Sequence, residues 1–510
     1  MKEKKMLMSI AFALCMAISV YAGGGAQAKS GAQNSGYTGN LPFAALKYYN
    51  IGDKSPATDA VLGEMNKVMR KEINAEMVME YIPWDGFEQK YQLVFASGEA
   101  FDAIYAASWA SYGAVATKNG FMELKPEFIQ KNAPYVWSAI PEAGWNQVKV
   151  GGKIFMIPQS TREFNHYVIG IRGDLREKYK LPPVDTYGAL ENYLAAVKAN
   201  NPELTPFSTN VAGELSNWVV LWNLMHDRFQ VGELFVQLFF VDINSPNPKV
   251  VNFLEQKDAA EFFTMQNKWQ KQGFWSRSAL SATTPSSDNF NNGLVAAYAG
   301  NSGTVEYAYT YDRANNNSAW KVELYDFTEK ANKKVPTYPY NAGGISINRN
   351  AKNPDRVLMM VDLFRKDKDL NHLAQWGIKG VQWDYEADGE TLKDMKVSPE
   401  NNYGDALTWG PFRNVNFMIP YTNTSSSYYR HIFDNSITRE LTVPVTAFLF
   451  DDSNVKNEEA AVSDVYQQYV LPLVLGFSDP SELPGVIQRL KTAGIDKLIA
   501  EMQKQLDANR

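Results

Sequence analysis

Leu46-Lys47-Tyr48-Tyr49-Asn50, Met77-Val78-Met79-Glu80-Tyr81-Ile82 and Phe101-Asp102-Ala103-Ile104-Tyr105-Ala106 are three short, largely apolar stretches, and what separates them decides the fold. After the first, Ser55-Pro56 offers an N-cap and a proline at the first helical position. Val61, Leu62, Met65, Val68 and Met69 then recur at helical spacing. After the second, Asp85 opens another helix that carries Phe87, Tyr91, Val94 and Phe95. Strand, helix, strand, helix, strand at this spacing predicts a βαβ series. The fold class is therefore α/β, with a mostly parallel sheet and helices on its faces.

The pattern continues outward. Residues 152–158 read as an extended segment stopped by proline, and 166–172, 294–299, 320–327 and 344–348 read as strands. Thr186 caps a helix with Leu190, Tyr193, Leu194 and Val197 on one face. Further helices are predicted over 214–229, 259–272, 354–366, 455–470 and 484–505. This predicts two α/β lobes and a helical C-terminal portion. A chain of 510 residues is long enough for that.

Composition narrows the class. Hydrophobic residues make up 45% and charged residues 21%, which suits a globular protein. Mean hydropathy is −0.34, and no membrane-spanning apolar run follows the N-terminus. A net charge of −6 with no dense Lys/Arg block argues against a nucleic-acid partner. Aromatic residues reach 13%, enough to line a binding cleft as well as a core.

Residues 1–22 read as an export signal. Lys2, Lys4 and Lys5 precede an apolar stretch from Leu7 to Val20, and Val20-Tyr21-Ala22 ends in small residues suited to cleavage. Ala26-Gln27-Ala28 is a second cleavage point, and 23–39 is a Gly/Ser/Ala-rich tether. The only cysteine, Cys15, lies inside the signal, so a mature chain would have neither disulfide nor thiol nucleophile.

Catalytic motifs are missing. The sequence has no phosphate loop, no His-Glu-x-x-His and no Gly-x-Ser-x-Gly, and its four histidines show no ligand spacing. No catalytic residue, cofactor or metal is expected, and the chain is not expected to be an enzyme. Polar and flat residues instead follow each of the first three strands: Asp53 and Lys54, then Trp84, then Ser108, Trp109 and Tyr112. Open α/β sheets place ligand sites at such loops. A second aromatic group lies in Gly-punctuated sequence, with Trp383 and Tyr385 after Trp376-Gly377, and Trp409 before Arg413. Flat rings pack on sugar C–H faces while polar and charged groups bond the hydroxyls.

Three runs then point to a family. Gly52-Asp53-Lys54 before a helix, Ala96-Ser97-Gly98-Glu99-Ala100-Phe101-Asp102, and Gly152-Lys153-Ile154-Phe155-Met156-Ile157-Pro158 resemble the family 1 extracellular solute-binding proteins of ABC importers. Trp376-Gly377-Ile378, the run from Phe450 to Glu458 and the ending from Ala493 to Glu501 resemble the large lipoprotein-type branch with a C-terminal DUF3502 domain.

The resemblance implies a periplasmic-binding-protein-like fold of two lobes joined by a hinge. The first lobe would span 40–160 and 320–368. The second would span 161–319 and 369–510, with 370–510 the DUF3502-like region. It implies capture of a carbohydrate, expected to be an oligosaccharide, between the lobes and delivery to a membrane permease by a monomeric receptor. Tyr298 and Asn301 would join Trp383, Tyr385, Trp409 and Arg413 in the second lobe's share of the site.

Relatives carry a lipid-bearing cysteine before the tether where this chain has Ala22, so a periplasmic protein without a lipid anchor is expected. A cell-surface lipoprotein is the alternative. Some relatives hold calcium in an Asp/Asn-rich loop that 181–202 lacks. A secreted glycoside hydrolase or lyase, and a receptor for a non-sugar solute, remain the competing readings.

Overall fold

The computed structural model describes residues 41–508 apart from 84–86, 161–166, 210–214, 233–236, 283, 302–319, 391, 396–397, 405–406, 408–411, 418, 420–437 and 442–443. The expected signal and tether, Trp84, Asp85 and Trp409 lie outside the described residues. The chain divides into two units, Met1–Arg162 with Pro339–Asn423 and Glu163–Tyr338 with Thr424–Arg510.

The first unit begins with the predicted series: β1 (Ala44–Ile51), α1 (Thr58–Ile73), β2 (Ala75–Ile82), α2 (Phe87–Ala96) and β3 (Ala103–Ala106). β1 pairs in parallel with β2 from Ala44 opposite Ala75 to Ile51 opposite Ile82, and with β3 on its other side. Strand Gly344–Ile347 runs antiparallel to β3, and Ile157–Pro158 completes the five-stranded sheet beyond it. Gly344 is required by that close pairing, because an added Cβ would lie 2.5 Å from the Ile157 carbonyl oxygen.

α1 buries Val61, Met65 and Met69 of the predicted face, adds Ile73, and leaves Leu62 and Val68 half-buried. It starts later than Ser55 suggests. The Ser55 hydroxyl bonds the Thr58 hydroxyl at 2.9 Å inside a turn, and the helix begins at Thr58. Helix Pro354–Lys366 matches its predicted span and is buried from Arg356 to Arg365. Arg356 donates to the Ile73 carbonyl at 2.6 Å, which satisfies the C-terminal end of α1. Arg365 donates to the Pro158 carbonyl at 2.6 Å, and burial pushes its guanidinium down to about 9. Before that strand, Lys149–Val150 and Lys153–Ile154 form a hairpin turned by Gly151 and Gly152, both left-handed, with open space around them.

The second unit centres on an antiparallel sheet with Tyr167–Arg172 between Ala297–Asn301 and Val322–Tyr325. Its core is aromatic-rich, and Trp218, Trp222 and Trp269 are buried in it. The C-terminal helices Lys456–Val465, Leu483–Ala493 and Ile495–Ala508 add Val462, Val486, Leu490, Leu498 and Met502 to the same core. The last predicted helix is therefore two. They break at Gly494, whose φ of +101° suits glycine, and an added Cβ would meet the Glu458 side chain at 2.7 Å.

Two boundaries differ from the expected lobes. Residues 320–338 belong to the second unit, because Val322–Tyr325 pairs with Tyr167–Arg172. Residues 369–423 belong to the first, where Asn371 donates to the Phe364 and Phe412 carbonyls.

Candidate functional site

Because β1, β2 and β3 are parallel, their C-terminal ends share one edge of the first unit's sheet. Gly344 sits opposite both Ala106 and Pro158, so Pro339–Gly343 and Gln159–Ser160 arrive at that edge as well. Ser160 donates its hydroxyl to the Arg413 carbonyl at 2.8 Å and brings a sixth segment there. The edge thus collects loops from across the sequence, as open α/β sheets do at their ligand sites.

Trp109 is fixed within this assembly. Its indole N–H donates to the Ala342 carbonyl at 2.8 Å, and its ring meets Phe87 and Tyr105 at 5.8 and 5.9 Å. It stays half-buried while Ser108 beside it is buried. Ser111 holds a left-handed backbone (φ 62°) where the 108–110 turn passes into a helix. Asp53 is half-buried; Lys54 is exposed and ion-paired with Asp59 at 2.7 Å.

Besides Ser108, four expected site residues prove to be buried. Tyr112 is 0% exposed, stacks on Phe121 at 6.0 Å and donates its hydroxyl to the Val148 carbonyl. Burial holds that hydroxyl well above the usual tyrosine range. Tyr298 is 0% exposed and packs on Phe290 at 5.1 Å, since its strand position faces the core. Trp383 belongs to a small core with Trp376, Leu392 and Ile419, where its N–H donates to the Gly377 carbonyl at 2.9 Å. Arg413 is buried in the first unit.

Tyr385 is half-buried, with the Lys379 ammonium 4.5 Å from its ring centroid. Trp383, Tyr385 and Arg413 fall in the first unit, not the second. Asn301 ends the strand Ala297–Asn301 in the second unit, opposite Tyr167. Tyr298 turns inward by its place on the strand, and Tyr112 and Trp383 by polar contacts with Val148 and Gly377, none of which the neighbouring sequence announces.

Sequence reasoning missed the returning segments. Gln159 donates its backbone N–H to Gly343 at 2.7 Å, Tyr340 its own to Gln147 Oε1 at 2.8 Å, and Asn341 its amide to the Gln147 carbonyl at 3.0 Å. The available signal was a polar pair, Gln159-Ser160, straight after a buried strand, and Tyr340-Asn341 just before another.

A separate groove of about 640 Å³ opens on the second unit, lined by Tyr187, Trp222, Met225, His226, Met265 and Lys268 among others. It runs between helices rather than at strand ends. Among the described residues no group of three or more His, Cys, Asp or Glu is placed to hold a metal ion. No described helix is long and apolar enough to cross a membrane.

Residues 444–509 match the family model described as a domain of unknown function (DUF3502). The chain is 24% identical over 485 residues to a Streptococcus pneumoniae serotype 4 (strain ATCC BAA-334 / TIGR4) protein named carbohydrate ABC transporter substrate-binding protein, covering 92% of this chain and 93% of that one. Among solved structures, it resembles the N-glycan transport solute binding protein NgtS of Streptococcus pneumoniae in complex with Man1GlcNAc. There the TM-score is 0.71 at 20% identity, over 91% of this chain and 99% of the other. It also resembles the Streptococcus pneumoniae ABC-transporter substrate binding protein FusA in complex with kestose. There the TM-score is 0.62 at 16% identity, over 91% of this chain and all of the other. The fold is periplasmic-binding-protein-like, and the chain carries a DUF3502 domain.

Proposed function

We propose that this chain is the solute receptor of an ABC importer, binding an oligosaccharide and handing it to a membrane permease. The observation that carries this reading is the match over nearly the whole of both chains to a protein named for that role. The first unit adds chemical support: a half-buried Trp109 follows β3 at the sheet edge to which Asp53 after β1 and Gln159-Ser160 after the Ile157–Pro158 strand also lead. In this role the protein binds and releases its solute unchanged and is not an enzyme. Residues 1–22 act as an export signal, and the receptor works outside the inner membrane, free of a lipid anchor. Palmitate labelling that tracked Cys15 would overturn the anchor-free form alone.

The test is a thermal-shift panel of neutral and acidic oligosaccharides, followed by calorimetry on each hit. A ligand that binds only the folded protein at 100 times its Kd stabilises it by about 2.7 kcal/mol. At least one oligosaccharide should raise Tm and be recovered intact after long incubation. No hit across the panel would overturn the receptor reading, and cleavage of the bound sugar would replace it with a hydrolase or lyase.

A further inference from the structure

β2 is the outer strand of the first unit's sheet. At its two ends the Ala44 N–H donates to the Asn74 carbonyl at 3.1 Å and the Gly52 N–H to the Ile82 carbonyl at 2.8 Å. In a parallel pair, alternate residues turn their peptide groups toward the partner strand. The even-numbered residues of β2 therefore face β1, and Ala75, Met77, Met79 and Tyr81 direct their peptide groups away from it. Such an outward row is a template on which another extended chain can pair.

One position in that row is closed by a side chain. Asn66, half-buried on α1, accepts the Met77 N–H at 2.8 Å and donates its own amide to the Met77 carbonyl at 3.0 Å. A primary amide carries the donor and acceptor of a peptide group, so Asn66 serves as a one-residue strand. Met79, two residues on, has no backbone partner on the outward side among the described residues.

We propose that Asn66 is a plug that prevents β2 from pairing with β2 of a second copy of this chain. Between two copies, charge disfavours the registers that bring β2 carboxylates together. An antiparallel two-fold pairing centred on Val78 would set Glu76 against Glu80, and one centred on Glu80 would set that carboxylate against itself. Centred on Met79, the strands overlap from residue 76 to residue 82 with Met79 opposite Met79, Met77 opposite Tyr81 and Val78 opposite Glu80. No like charges meet. That register needs the peptide groups of Met77, which Asn66 occupies.

The experiment is sedimentation velocity over a concentration series, on the wild-type chain, Asn66→Ala and Asn66→Ala with Met79→Pro. Proline at Met79 removes an outward N–H without taking a bond from β1. Asn66→Ala should associate at least about tenfold more tightly than wild type, matching the loss of two competing hydrogen bonds. The second substitution should restore wild-type behaviour. Sedimentation of Asn66→Ala like wild type at every concentration would overturn the proposal, as would association that survives Met79→Pro. Should Asn66→Ala fail to fold, amide exchange in the wild type decides. Met77 should be protected well beyond Met79, and equal exchange at the two would mean there is no plug.

Discussion

Trp109, in the turn 108–110, and Trp383, opening the short strand Trp383–Tyr385, both lie near Gly- or Ala-rich sequence, yet the protein uses them in opposite ways. Trp109 follows β3 at the edge of a sheet whose core is already closed by Tyr105, Tyr112 and Ile345. Its N–H is spent on Ala342, and part of the ring stays accessible. Trp383 lies beyond the helix that ends at Trp376 and forms a small core of its own with Trp376, Leu392 and Ile419. Here aromatic sequence becomes surface only where something else has closed the core beneath it.

Trp383→Ala tests that contrast most severely. Removing a buried tryptophan costs about 3–5 kcal/mol, so the variant should show a large fall in urea midpoint without any ligand. A midpoint within error of wild type would mean the small core does not stabilise the first unit.

Trp109→Ala should do the reverse, leaving the free protein's Tm close to wild type. Its cost should appear in calorimetry, as about 1–3 kcal/mol of lost affinity for the best oligosaccharide, or roughly 5- to 150-fold in Kd. If Tm falls and affinity holds, Trp109 is packing like Trp383 and the contrast collapses.

The smallest effect sharpens the Trp383 side. His372 meets the Trp376 and Trp383 rings at 4.9 and 5.4 Å, and its Nε2 lies 2.8 Å from the Phe417 carbonyl. Burial lowers its pKa, with Lys368 and Lys379 adding to the shift, while the Phe417 carbonyl and Asp369 oppose it. The folded state therefore prefers the neutral ring. That contribution is fully present above the unfolded value of about 6.5 and is lost as pH falls through the depressed folded value. Unfolding free energy should decline across this range, and His372→Gln should flatten the decline. An unchanged slope in the variant would assign the pH dependence to other groups.

Much of the frame was legible because it is local. Val61, Met65 and Met69 announce α1, Pro354 starts its helix where proline is tolerated, and three strands separated by two helices make a parallel sheet and hence one loop-bearing edge. What stayed hidden depends on contacts between distant residues. Nothing near Gln159 tells that Gly343 will accept its N–H, and nothing near Val322 says that its strand completes the second unit's sheet. Whether a loop aromatic turns in or out is equally remote from its own neighbours. Tyr112 and Trp109 are three residues apart and differ because Val148 and Ala342, far along the chain, receive their polar atoms.

The hairpin turned by Gly151 and Gly152 makes the protein a ready measuring instrument. Its tip has empty space around it, and the strand that follows leads through Pro158 to Gln159 and Ser160. The sequence holds one cysteine, Cys15, so Lys153→Cys would give a chain without residues 1–22 a single thiol for a fluorophore. A dye there sits on the segment that feeds the candidate site while touching none of its groups. Solute arrival would then be read as a change in emission, at the cost of one exposed ion pair between Lys153 and Glu123.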